Sequence, residues 1–225
     1  MKVREQLKEQ IVKRMSMDNP WWMTNSIPED YKSMPHRAYL NGFYPLVSDT
    51  DIRRAVILMG PRRVGKTVMI FHTIDRLIAE GVDPRKIIYV SIDTPIYNNT
   101  SLEDLFSYAK FALKQEDCKD GFYVFFDEIQ YLKNWEVHLK SLVDTFRNVK
   151  FIASGSAAAA LKMKSNESGA GRFTDFMLPP LTFFEYVKFL DLDSIIVKSN
   201  NGISPYDSIN IDELNHHFID FFFFK

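Results

Sequence analysis

Two groups of residues in this 225-residue chain have the types and spacing for phosphate chemistry. The first is GPRRVGKT, Gly60 to Thr67, which fits the spacing G-x-x-x-x-G-K-[ST]. Glycine at Gly60 and Gly65 lets the backbone turn tightly enough for successive N–H groups to enclose phosphate oxygens at the amino end of a helix. The expected nucleotide-contacting run is Gly60, Pro61, Arg62, Arg63, Val64, Gly65, Lys66, Thr67 and Val68. Lys66 can reach the β and γ phosphates, and the Thr67 hydroxyl can face Mg²⁺. Arg62 and Arg63 either add positive potential or point to solvent. The second group is Asp127–Glu128, which closes the apolar run FYVFF. An Asp-Glu pair is common on surfaces, but here five apolar or aromatic residues precede it. Asp127 is expected to meet Mg²⁺ through water, and Glu128 to polarise the water that attacks the γ phosphate. Ser154, at the end of NVKFIAS, could hydrogen-bond that water or phosphate, with Ser156 as its competitor. Asp93 ends KIIYVSID as an orienting group or a turn cap.

These residues face one ligand only if they stand at the carboxyl ends of parallel strands, where open α/β sheets bind ligands. The chain has the elements for this. RRAVILM from Arg53, KIIYVSID, GFYVFFDEIQ, NVKFIASGS and FTDFML read as five strands. The segments between them read as helices: VMIFHTIDRLIAE with Gly81 as its cap, SLEDLFSYAKFALKQ opened by Ser101 and Asp104, WEVHLKSLVDTF, and AAAALKMK. Thr182 and Glu185 form a capping box for TFFEYVKFL. Apolar strands alternating with amphipathic helices predict an α/β fold of three layers, a mostly parallel five-stranded sheet covered on both faces. With the G-x-x-x-x-G-K-[ST] loop after its first strand, this is the expected fold of a P-loop NTPase. Residues 1–50 read as a helical and irregular arm, 51–191 as the P-loop core, and 192–225 as a linker and the start of a helical region. In the arm, Val3, Leu7, Ile11 and Met15 form a helical stripe, and MPHRAYLNGFYP reads as a short helix followed by a Gly-Pro turn. SNNGISPYDS reads as loop, and INIDELNHHFIDFFFFK as a helix that becomes apolar all round.

Composition narrows the function classes. Hydrophobic residues at 46% and charged residues at 25% are ordinary for a globular domain. With 28 basic against 29 acidic residues the net charge is −1, so no global field recruits nucleic acid or an anionic membrane. One cysteine, Cys118, excludes an internal disulfide and a thiolate metal cluster. The amino terminus lacks a signal-peptide core and no run approaches the roughly 18 apolar residues of a spanning helix, so a cytoplasmic location is expected. Adjacent His216 and His217 cannot share a helix face for a metal. Trp21, Trp22 and Trp135 read as core packing.

GPRRVGKT, YVFFDEIQ, FIASGS and ESGAGRFTDFMLPPLTFFEY together resemble the AAA+ superfamily of P-loop ATPases, of the ASCE type. The likeness is to prokaryotic AAA-domain ATPases that carry a winged-helix-like region and a domain of unknown function, and it covers Arg53 to Lys225. The resemblance implies ATP and Mg²⁺ as ligands, Ser154 as the sensor beside the Asp127–Glu128 pair, and Arg172 as an arginine finger. Through Arg172 it implies a homo-oligomer, with a protein partner unnamed. The family pattern continues beyond LNHHFIDFFFFK into a lid and further domains, so truncation after the ATPase core is expected. The leading expectation is an Mg-dependent ATPase that couples nucleotide state to a conformational change in further domains or a partner. Two others stand beside it: a nucleotide-dependent binding module, conceivably DNA-associated, and a small-molecule kinase, which needs an acceptor pocket.

Overall fold

A computed structural model of the chain describes residues 2–116, 121–156, 171–192, 196–198, 206–208 and 210–223. Cys118, the predicted AAAALKMK helix, most of the glycine-bearing stretch before Arg172, and Phe224 lie outside the described residues. The chain forms two compact units, Met1–Leu178 and Pro179–Lys225.

The first unit is built on five strands: β1 (Ala55–Met59), β2 (Ile87–Ser91), β3 (Tyr123–Asp127), β4 (Lys150–Gly155) and β5 (Phe173–Met177). All neighbours are parallel, in the order β2-β3-β4-β1-β5. Every residue of β1 and β4 is buried, which requires cover on both faces. That cover comes from α1 (Lys2–Asp18), α6 (Leu102–Ala112) and α7 (Trp135–Thr145) as one group, and α3 (Glu29–Lys32), α4 (Leu40–Ser48) and α5 (Lys66–Ala79) as another. The order has a direct consequence for chemistry. β4 separates β1 from β3, so the end of β4 stands between the phosphate loop and Asp127.

Local signals set the helix ends. Gly81, at φ +94°, closes α5 with Gly81 N–H on Ile78 O and Val82 N–H on Leu77 O, both 3.0 Å. Ser101 caps α6 by accepting the Asp104 N–H at 3.1 Å. The Asp104 carboxylate accepts from the Ser101 hydroxyl and not from its backbone N–H, so the N-cap forms but the reciprocal half of the predicted box does not.

The amino-terminal arm departs from expectation in two places. No Gly-Pro turn forms: α4 runs through Gly42 and contains Pro45. An interior proline costs about 3 kcal/mol. Leu40, Phe43, Tyr44 and Val47, at i, i+3, i+4 and i+7, are all buried, and each contributes roughly 1.5–3 kcal/mol, so packing wins. The tryptophans do more than pack. β2 is a sheet edge, and its outward backbone groups are paired by arm side chains just past α1 and in α2 (Trp21–Thr24). Asn19 accepts the Tyr89 N–H at 2.6 Å and donates to Tyr89 O and Met15 O, both at 2.8 Å. The indoles of Trp21 and Trp22 both donate to Ile87 O, at 2.9 and 2.8 Å. Side chains thus stand in for a sixth strand and close an exposed edge. Of the α1 stripe, Ile11 and Met15 are buried and Leu7 is exposed.

The second unit holds α8 (Phe183–Phe189), α9 (Ile211–Phe223), and an antiparallel pair of strands, β6 (Ile196–Lys198) and β7 (Tyr206–Ser208). β7 replaces part of the predicted loop. The Thr182–Glu185 capping box is present in full, with bonds of 3.2 Å in both directions. On α9, Phe221 lies 5.3 Å from Tyr186 and 5.7 Å from Phe183, so this part of the aromatic run packs within the unit.

Candidate nucleotide-binding site

The phosphate loop joins β1 to α5. Gly60 sits where a Cβ would meet the Leu178 carbonyl oxygen at 2.4 Å and Val64 Cγ2 at 3.1 Å, so only glycine fits between the loop and the residue after β5. Gly65 serves by conformation instead: at φ +88° it is the N-cap of α5 and has open space around it. Because a glycine cap offers no side chain to the first turn, the leading amides of α5 remain for an anion. Lys66 is 4% exposed, and its ammonium donates to Pro61 O at 3.0 Å and Gly60 O at 3.3 Å. The cation is therefore folded back over its own loop. Pro61, Arg62 and Arg63 are exposed, while Val64 and Val68 are half-buried. Arg62 donates to the Tyr131 hydroxyl at 2.9 Å, which ties the loop to the segment after β3.

Asp127 is the centre of the polar network. At 1% exposure, its Oδ2 accepts from the Thr67 hydroxyl at 2.7 Å and the Tyr89 hydroxyl at 3.0 Å. Its Oδ1 accepts from the Ser154 hydroxyl and from the Glu128 N–H, the latter at 3.1 Å. Four donors satisfy a buried carboxylate, which cannot stay charged and unpaired. Burial, and then the Asp127 charge, push the Tyr89 phenol far above its ordinary range, so it remains a donor. Thr67 and Asp127 are oxygen donors at one buried corner. Mg²⁺ takes such ligands and keeps several waters, so the pair fits that ion.

The remaining predicted residues divide. Ser154, fully buried, also accepts the Glu128 N–H at 3.1 Å, so the sheet order brings it to the carboxylates. Ser156 meets the site through its backbone N–H, which Gln130 accepts at 3.1 Å. Asp93 is exposed and accepts from Ser91 at 2.6 Å, a turn-capping arrangement. Arg172 precedes β5 at the opposite end of the strands and pairs with Asp144 at 3.1 Å. Five residues of strand, roughly 16 Å, separate it from the phosphate-loop end, so it is not brought to Glu128 of its own chain.

Several site residues carried no signal in the sequence. Arg37, 7% exposed, donates to Val64 O at 2.7 Å and so fastens the arm to the phosphate loop. Nearby, His72 on α5 bonds Tyr31 O at 2.8 Å, and the Tyr31 ring stacks on Phe71 at 4.0 Å. Burial holds the His72 imidazole below its ordinary value, which favours the neutral form. The partners of Arg37 and His72 lie 27 and 41 residues away, beyond any local pattern. An open cleft of ≈ 570 Å³ at the carboxyl end of β2 is lined by Tyr31, Phe71, Tyr89, Ser91, Asp93 and Thr94 among others.

Comparison with known proteins adds the family. Residues 52–187, from just before β1 into α8, match a family described as AAA domain. The chain belongs to that AAA-domain family. By family and fold it is a P-loop, AAA-type ATPase domain. Its AAA domain has uncharacterized relatives: MJ1637 and MJ1544 of Methanocaldococcus jannaschii are each 30% identical, over 72% and 73% of this chain. A Haemophilus influenzae protein is 26% identical over 65% of it. The chain spans about a third of these relatives, 34%, 33% and 36% of their lengths. Among solved structures, the Aeropyrum pernix Orc1 protein in complex with DNA is similar, with a TM-score of 0.52 at 15% identity. That match covers 77% of this chain and 52% of the Orc1 chain, and it concerns the fold alone. Among the described residues no helix is long and apolar enough to cross a membrane, and no cluster of His, Cys, Asp and Glu could hold a separate metal.

Proposed function

We propose that this AAA domain binds Mg-ATP between the phosphate loop and the ends of β3 and β4, and hydrolyses its γ phosphate. The observation that carries this is the continuous hydrogen-bonded chain Thr67–Asp127–Ser154, with the Glu128 N–H held by both Asp127 and Ser154. The first turn of α5 and the ends of β3 and β4 are locked to each other around the place where a terminal phosphate would lie.

Each residue has a definable part. The leading amides of α5 receive phosphate oxygens, and Lys66 exchanges the Gly60 and Pro61 carbonyls for them. Thr67 and Asp127 would hold Mg²⁺, which when bound neutralises charge on the phosphates. Glu128 orients a water for in-line attack. The water oxygen bonds to phosphorus as one of its protons passes to the Glu128 carboxylate, the bond to the β–γ bridging oxygen breaks, and ADP and phosphate result. Ser154 keeps the Glu128 backbone in place. The released energy is coupled to a conformational change in further domains or a partner. Arg172 has a catalytic part only on the nucleotide of a second copy, since it stands at the far end of its own sheet.

Lys66→Ala is expected to abolish ATP binding, because a compact charge inside the loop is lost. Glu128→Gln is expected to keep binding within about twofold and reduce turnover by about 10²-fold or more. Calorimetry and phosphate release measure the two, and undiminished hydrolysis in Glu128→Gln rules out its assigned role. The cleft beside β2 favours a second reading, phosphoryl transfer to a bound small molecule. Phosphate released from ATP without any added acceptor decides for hydrolysis.

A further inference from the structure

We propose that Gln130 is a positioning residue for hydrolysis: it holds the Glu128 carboxylate by one oxygen and ties it to the end of β4. The proposal rests on the assignment of Glu128 as the residue that orients the attacking water.

Gln130 lies in the single 3₁₀ turn Ile129–Tyr131 that follows Glu128. Its amide is used at both ends: Nε2 donates to Glu128 Oε2, and Oε1 accepts the Ser156 N–H at 3.1 Å. Which end is which follows from chemistry. A backbone N–H can only donate, so the Gln130 oxygen must face Ser156 and its NH₂ must face the carboxylate. Flipping the amide would set donor against donor at Ser156 and oxygen against oxygen at Glu128.

The rest of Glu128 is constrained equally. Its backbone sits at φ 54° and ψ 45°, a left-handed conformation unusual for a non-glycine residue, and its N–H is shared by Asp127 Oδ1 and Ser154 Oγ. Such conformations persist where surrounding bonds over-determine them. With the backbone held and Oε2 engaged, Glu128 Oε1 is the oxygen turned over to a water. The donor to Oε2 is charge-assisted, the stronger kind of hydrogen bond. Because Ser156 follows β4 directly, any movement of the strand end reaches the carboxylate through one side chain.

Gln130→Glu removes the amide donor, and Gln130→Ala removes the whole link. An ionised glutamate there keeps the side-chain length and an oxygen for the Ser156 N–H, but has no proton for Glu128 and sets a like charge beside it. The variant is expected to bind Mg-ATP within about twofold of wild type while kcat falls about tenfold or more, the lower range for a group that aligns a catalytic residue. Gln130→Ala should behave alike, and neither should lower turnover further in a Glu128→Gln background, because residues acting as a unit are not additive. A second readout needs no turnover. In ¹⁵N-glutamine-labelled protein, the side-chain amide signal that disappears in Gln130→Ala should move in Glu128→Ala. Gln130→Glu with kcat at or above wild type, or a Gln130 amide signal indifferent to Glu128→Ala, overturns the proposal. Wild-type hydrolysis by Glu128→Gln would instead sink the assignment of Glu128. An inactive Glu128→Gln beside a fully active Gln130→Glu removes Gln130 alone.

Discussion

The two loop glycines are irreplaceable for different reasons. At Gly60 the obstacle is space: an added methyl group would stand 2.4 Å from Leu178 O, a backbone atom that cannot swing aside. At Gly65 there is room, but φ +88° disfavours any L side chain. Gly60→Ala should therefore push the loop away from the end of β5, destabilising the fold by about 1–3 kcal/mol and weakening nucleotide binding. Gly65→Ala should cost about 1–2 kcal/mol in strain without a clash. Thermal unfolding and nucleotide titration of both variants test this, and a Gly60→Ala protein with wild-type melting and affinity would contradict it. Gly60, Gly65, Lys66 and Thr67 were legible in the sequence because their requirements are local. Gln130 was visible only as part of DEIQ, and nothing in that string shows that its amide spans from Glu128 to Ser156.

At the scale of elements, the strands and main helices follow from apolar runs and caps, whereas the edge of β2 is paired by three arm side chains, of which Asn19 alone holds Tyr89. Asn19 satisfies Tyr89 N–H, Tyr89 O and Met15 O together, in a buried position. Asn19→Ala strands the two Tyr89 backbone groups, and each buried unsatisfied polar group costs about 1–3 kcal/mol. A loss of roughly 2–6 kcal/mol in unfolding free energy is expected for the two groups, with faster hydrogen exchange at the Tyr89 amide. Unchanged exchange at that amide would show that the edge is paired by other means. The Asn-Pro-Trp-Trp string reads as irregular in sequence because its partners lie about 65 to 70 residues ahead.

For the whole molecule the open question is whether one chain makes a complete site. Arg172 lies across the sheet from Lys66 and Glu128 and is 45% exposed beside Asp144, so a role in hydrolysis requires a second copy. If it has one, Arg172→Ala should retain nucleotide binding and lose turnover. Mixing Arg172→Ala with Lys66→Ala should then restore activity, since one chain supplies the loop and the other the arginine. Wild-type turnover by Arg172→Ala, or no recovery on mixing, would count against a shared site. The near-neutral charge of the chain offers nucleic acid no general attraction.

The sequence by itself determined the phosphate loop, the strand-terminal Asp127–Glu128 pair, the parallel α/β class and the helix caps. Each depends on properties a few residues can express: glycine conformations, apolar periodicity, and side chains that reach the next turn. Tertiary structure decided which serine side chain meets Asp127. β4 lies between β1 and β3, so the side chain of Ser154 meets Asp127, while Ser156 contributes its backbone to Gln130. It also decided that Arg37 braces the loop, that Asn19 closes an edge, and that Arg172 faces away from its own site. Those outcomes turn on strand order and on bonds between distant residues, which no local spacing encodes.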